Sequence, residues 1–203
     1  MHPKVLVVFY SRTGNVAALA DAIADGAAGA GAEVRAVRVD DLAPASVIDA
    51  NPAWKVSRDA QRARYAEATI EDLEWADAVV FGTPTRFGNM AAELKLYLDK
   101  TSKLWMEGKL AGKVASVFTS AATIHGGHET TLLTMLVPLL HHGMVIVTPG
   151  YTDPSVFSAG TPYGASSTVG GGADQPPTEA DLAVARFQGR RVAETTAQLL
   201  RGK

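Results

Sequence analysis

A chain of 203 residues with a hydrophobic fraction of 47% is the size of one ordinary domain and can supply a full core, which excludes extensive disorder. A formal net charge of -2 with scattered Lys and Arg excludes a nucleic-acid footprint, and the absence of cysteine excludes disulfides and thiolate metal sites. No apolar stretch reaches the roughly 20 residues that span a bilayer, and the first strand starts almost at once, leaving no room for a signal peptide; a cytoplasmic protein is expected.

Residues 4–10 read as a first strand, followed by a helix over 16–30 with Val16, Leu19, Ala20, Ile23 and Ala27 at helical spacing and Gly29 and Gly31 at its end. Alternation over 33–39 gives a second strand, so the chain opens as a βαβ unit. Residues 56–68 suggest a very polar helix, whose Ser57, Arg58, Asp59, Gln61, Arg62 and Arg64 read chiefly as a solvated face. A third strand over 77–81, a helix over 90–98, a fourth strand after Lys113, a helix from about 129 to 142 and a fifth strand over 144–147 follow. A long amphipathic helix over 178–200 closes the chain. The expected fold is α/β: a doubly wound, five-stranded parallel sheet with helices on both faces, formed by one domain over 1–203. Insertions are expected at about 42–70 and 150–177. The second is Gly-rich and aperiodic and reads either as a mobile surface loop or as one used in function or subunit contact; its Val156, Phe157 and Tyr163 suggest association between copies.

Three apolar strands each run into a loop of binding-type composition: Tyr10-Ser11-Arg12-Thr13-Gly14-Asn15, Gly82 to Met90, and Thr119 to Thr123. In a parallel sheet all three open at the carboxyl edge, where ligands of such folds bind. The first suits a phosphate, because a helix amino end offers unpaired amides beside hydroxyls and a flexible glycine. It carries neither Gly-Lys-Ser/Thr nor Gly-x-Gly-x-x-Gly, so it is not a P-loop or a dinucleotide fingerprint. In the second, backbone donors beside Phe87 suit a planar heteroaromatic ring, and Arg86 offers positive charge. His125 and His128 lack companions at ligand spacing, so no metal is expected. Trp105 reads as core or as a stacking surface. His141 and His142 stand at a helix end, and one of them suits a ligand oxygen.

With those motifs in view, the chain resembles the flavodoxin-like NAD(P)H:quinone oxidoreductases of the tryptophan-repressor-binding-protein family. The resemblance rests on Phe81 to Met90, Gly112 to Ser120, His141 to Val147, Gly160-Thr161-Pro162-Tyr163-Gly164-Ala165 and Ala185-Arg186-Phe187-Gln188-Gly189, and spans nearly the whole length. It implies an FMN cofactor, a homotetramer, and two-electron reduction of quinones by NADH or NADPH in a ping-pong cycle through flavin N5. By position, Ser11, Arg12, Thr13, Gly14, Asn15 and Val16 would cradle the FMN phosphate. Thr83, Pro84, Thr85, Arg86, Phe87, Gly88 and Asn89 would line the ring, and Ser120, Ala121, Ala122, Thr123, Ile124 and Gly126 its other side. His141 would be the catalytic group reaching flavin or quinone, with Trp105 and Phe87 covering substrate. Thr13 stands where many members carry an aromatic, which implies a different grip on the nicotinamide nucleotide. The 121–127 loop is longer and less Gly-rich than usual. Two other readings stay open: a non-enzymatic flavodoxin carrier, although those chains are generally shorter and strongly acidic, and a flavin-holding regulatory module.

Overall fold

A computed structural model describes residues 2–170 and 175–202, so residues 171–174 of the Gly-rich segment lie outside the described residues. Strands β1 (Lys4–Phe9), β2 (Glu33–Arg38), β3 (Ala66–Glu67), β4 (Ala78–Arg86), β6 (Val114–Ala121) and β7 (Val145–Ile146) form a sheet in the order β3-β2-β1-β4-β6-β7. All of those pairings are parallel. Short β5 (Asn89–Met90) folds back antiparallel on β4, and β8 (Ser166–Thr168) lies parallel to β6. The flavodoxin-like α/β class is therefore as expected, with short strands added to the five-stranded plan.

Continuous apolar runs in the central strands follow from burial on both sides. Along β1, Val5, Val7 and Phe9 join a core with α1 (Asn15–Gly29) and α8 (Glu179–Arg201). Leu6 and Val8 point to the opposite core, shared with α4 (Ile70–Trp75), α5 (Ala92–Asp99), α6 (Ser102–Met106) and α7 (His128–His141). Helix α1 ends as the sequence suggests: Gly31, at φ +84°, lets Gly31 and Ala32 donate back to the carbonyls of Ala28 and Ala27.

Three departures matter for the site. The polar helix is α3 (Pro52–Arg64), four residues earlier than expected, because Asn51 caps it and Pro52 occupies its first turn; α2 (Ala45–Asp49) precedes it. The fifth strand is split into β7 and β8 by residues 147–165, so part of the expected irregular segment is sheet. Finally, Val156 is buried in the core rather than available for association. The exposed apolar side chains include Trp105, Met106, Leu133, Val137 and Leu140, on α6 and α7.

Candidate functional site

Strand β1 releases the chain into a turn organised by one hydroxyl. Ser11 Oγ accepts from the amides of Gly14 and Ala17, each at 3.2 Å. Gly14, at φ +100°, turns the backbone into α1 without a side-chain cap. The amides of Asn15 and Val16 then stand in the first turn, with no helical carbonyl four residues back to accept from them. Asn15 is buried, and its Oδ1 has no partner among the described residues. Such an end, with its positive dipole, favours an anion.

Helix α3 walls this turn, which the sequence reading of its polar face missed. Gln61 is buried and donates to the Ser11 carbonyl at 3.0 Å and to Ser57 Oγ at 2.8 Å. The Arg12 guanidinium lies 4.0 Å from the centre of the Trp54 ring. Trp54 Nε1 and the Tyr10 hydroxyl donate to the same oxygen of Asp41, at 2.9 and 3.0 Å. Burial above all, with the nearby Glu93 and Asp41 carboxylates, raises the Tyr10 phenol well above its ordinary pKa and keeps it a donor. The Asn51-Pro52 start signal was the available clue to this wall; charge count alone pointed to solvent.

The second loop is largely strand. β4 continues through Gly82, Thr83, Pro84 and Thr85 to Arg86, then reverses through Phe87 and Gly88 into β5, with Arg86 opposite Asn89 and Thr85 opposite Met90. Phe87 at φ 53° and Gly88 at φ 79° are the two left-handed positions of a tight hairpin turn. A phenylalanine there costs about 1 kcal/mol or more, and its ring is fully exposed. Gly88 donates to Thr85 Oγ1, which is 2.7 Å from the hydroxyl of buried Thr131 on α7. A Cβ on Gly127 would lie 3.0 Å from Gly88 Cα, so the second and third loops meet backbone to backbone.

Register places the loops side by side, since Thr83 pairs with Thr119 and Pro84 with Ser120. A cavity of about 370 Å³ gathers Ser11, Arg12, Thr13, Asn15, Val16, Pro84, Thr85, Arg86, Ser120, Ala121 and Ala122. Asn51, Ala53 and Val169, which the sequence did not single out, complete its wall. A second cavity of about 1130 Å³, with mainly apolar walls, brings Arg86, Phe87 and Asn89 together with Trp105, Val137, His141 and His142. Arg86 lines both. Thr123, Ile124 and Gly126 line neither, and Ile124 is exposed. Thr83 and Gly88 instead support the strand end and the turn: Thr83 Oγ1 accepts from Ala91 N, and its carbonyl accepts from Thr119.

The two histidines at the end of α7 separate by role. Thr101 Oγ1 donates to Leu98 O, so it accepts from His142 Nε2–H. Burial above all, and then the neighbouring His141, lowers the pKa of His142, which stands neutral with a buried Nδ1. His141 is exposed, and its carbonyl accepts from Trp105 Nε1 at 3.1 Å. His128 is buried against Ser167 O at 3.1 Å, while His125 is exposed. Among the described residues no group of three or more His, Asp or Glu is placed to hold a metal.

The chain is similar to known proteins. A family model described as NADPH-dependent FMN reductase matches residues 3–154. A protein named NAD(P)H dehydrogenase (quinone) from Trichlorobacter lovleyi is 46% identical over 205 residues, covering 97% of this chain and 98% of that protein. One of the same name from Deinococcus radiodurans is 47% identical over 198 residues, covering 97% of each. Among solved structures, a WrbA-like flavodoxin from Agrobacterium tumefaciens superposes with a TM-score of 0.68 at 25% identity, covering 97% of this chain and 98% of that one. Oxidised flavodoxin 1 from Bacillus cereus, at 18% identity and a TM-score of 0.59, shares the fold over 94% of this chain and 97% of its own. With a family model matching residues 3–154, most of the chain, and relatives 46% and 47% identical over nearly its whole length, this chain belongs to the NADPH-dependent FMN reductase family.

Proposed function

We propose that the chain is an enzyme, an FMN-dependent NAD(P)H:quinone oxidoreductase. The observation that carries the reading is the convergence of three strand ends on one anion-ready cavity that adjoins, through Arg86, a larger apolar one. The residues present fit FMN. Unpaired first-turn amides of Asn15 and Val16, the free O–H of Ser11 and the side chains of Thr13 and Asn15 suit its phosphate. Residues 84–86 and 120–122, with Val169, form the walls on either side of the remaining space.

Bound FMN supplies two-electron chemistry, with donor and acceptor taking one place in turn as a ping-pong cycle requires. The protein's own groups do the rest. Arg86 places fixed positive charge at the junction of the cavities, which lowers the cost of negative charge arriving there. Phe87 and Trp105 offer flat apolar faces to a quinone ring or a nicotinamide. His141, exposed in the same cavity, is positioned to give a proton to a quinone oxygen, a role water also fills.

We read residues 1–203 as a single flavodoxin-like domain acting in the cytoplasm; no described helix is long and apolar enough to cross a membrane. Trp105 and Val137, among the exposed apolar side chains on α6 and α7, line the second cavity, and the exposed set supports association into a homotetramer. Sedimentation at micromolar concentration is expected to show four copies; a monomer contradicts the assembly but not the chemistry.

Stopped-flow mixing with NADH or NADPH tests the function. Rapid bleaching of bound flavin, then recovery of colour on adding benzoquinone, is expected. Failure to react directly with either nucleotide would favour the electron-carrier reading.

A further inference from the structure

The segment Ala185-Arg186-Phe187-Gln188-Gly189 lies on α8, away from both cavities, yet Gln188 is completely buried. Its surroundings explain why a polar side chain is there. Strand β7 pairs with β6 at Val114 and Ala115, and β8 pairs with it at Thr119 to Ala121. Between these, Ser116, Val117 and Phe118 face the gap left by the split strand. Gln188 fills that gap. Its Nε2 donates to Val117 O at 2.8 Å and to Ser116 Oγ at 2.6 Å, and its Oε1 accepts from Ala165 N at 2.7 Å. Ser116 Oγ in turn donates to Val147 O at 2.6 Å. The side chain thus ties the end of the excursion at Ala165 directly, its start at Val147 through Ser116, and strand β6 beside the gap.

We propose that Gln188 is a positioning residue for the cofactor cavity: it replaces the missing middle of the fifth strand and thereby fixes the segment that ends at Val169. The connection is short. Ala165 O accepts from Thr119 N at 3.0 Å, β8 follows, and Val169 N donates to Ala121 O at 2.8 Å, where both residues line the cavity. The same stretch of α8 holds the excursion elsewhere, since Arg191 Nε donates to Thr148 O at 2.9 Å. Gly164 is seated so closely that a Cβ would lie 2.1 Å from Val117 O. A fully satisfied buried network of this kind specifies one arrangement, and removing its central member leaves several polar groups unpaired.

This inference rests on the FMN reading above, and its test separates the two. FMN affinity is measured by flavin fluorescence quenching, well below the melting temperature, for Gln188→Met, for Ser116→Ala and for Leu73→Ala. The last is a buried α4 residue in the core on the other face of the sheet, lining neither cavity, and serves as a stability control. Gln188→Met is expected to raise the FMN Kd by about tenfold or more, and Ser116→Ala by about threefold. Leu73→Ala is expected to lose stability yet keep the wild-type Kd. Hydrogen exchange in the apoprotein should quicken selectively at the amides of Ala165 and Val169 in Gln188→Met. Wild-type Kd in both Gln188→Met and Ser116→Ala overturns the proposal; should Gln188→Met not fold, Ser116→Ala alone decides. A wild-type protein that takes no FMN refutes the cofactor reading instead, and selective exchange at Ala165 and Val169 then still decides the role of Gln188.

Discussion

Replacing Ser11 with alanine is expected to weaken FMN binding by about a hundredfold or more. A hydroxyl has two acceptor positions and one donor. In Ser11 the acceptor positions are filled by the amides of Gly14 and Ala17. Its proton therefore remains for an anion at the mouth of α1. A hydrogen bond to a charged group contributes about 1.5–3 kcal/mol, and untying two amides that shape the turn adds about 1 kcal/mol. Together these reach about 3 kcal/mol, or roughly a hundredfold in Kd. Titration calorimetry of apoprotein with FMN measures it. A Kd within about threefold of wild type would show that the turn does not receive the phosphate.

The largest loss of stability is expected from Gly189→Ala. A Cβ at Gly189 of α8 would lie 1.9 Å from the carbonyl oxygen of Ile23 in α1, and one at Gly26 would lie 1.9 Å from that of Arg186. The helices therefore meet backbone to backbone in a reciprocal pair, and no flexible side-chain end is available to give way. In an ordinary helix interior, Gly→Ala stabilises by about 1 kcal/mol. Here the helices must separate, and a loss of about 3 kcal/mol or more is expected by urea unfolding. The opposite signs make the experiment decisive: a variant at least as stable as wild type contradicts the close approach. Since α1 carries the anion-binding turn at its amino end, FMN affinity is expected to fall alongside.

The central strands, α1, α7, α8 and the shared edge of the three loops were legible because each has a strong apolar pattern ending in Gly, Pro or hydroxyl residues. What escaped has particular causes. Strand β8 is Ser-Ser-Thr, with no apolar alternation, and its neighbouring gap is filled by a glutamine from a distant helix. Strand β4 runs through Pro84 to Arg86, although Gly and Pro there read as loop. Helix α4 escaped although Thr69 and Asp72 form a capping box that was open to reading. Asn51, Ala53 and Gln61 were absent from the expected site because composition cannot tell a solvated polar face from one packed against a backbone turn.

Within the site, position in the chain separated what geometry keeps together from what it disperses. Residues at strand ends, such as Pro84 to Arg86, Ser120 and Ala121, are held by sheet register and converge. Ile124 and Thr123 lie beyond the register in the 122–127 loop and line neither cavity. Trp105 and His141 come from separate helices, yet the Trp105 Nε1 to His141 carbonyl bond brings them to the same apolar cavity. No spacing in the sequence encodes that contact.

Crystals grown with riboflavin 5′-phosphate test the central claim most directly. The phosphate is expected against the Asn15 and Val16 amides, with the ring between the 84–89 hairpin and residues 120–122. Ligand bound at another face, with the amino end of α1 left to solvent, would contradict it.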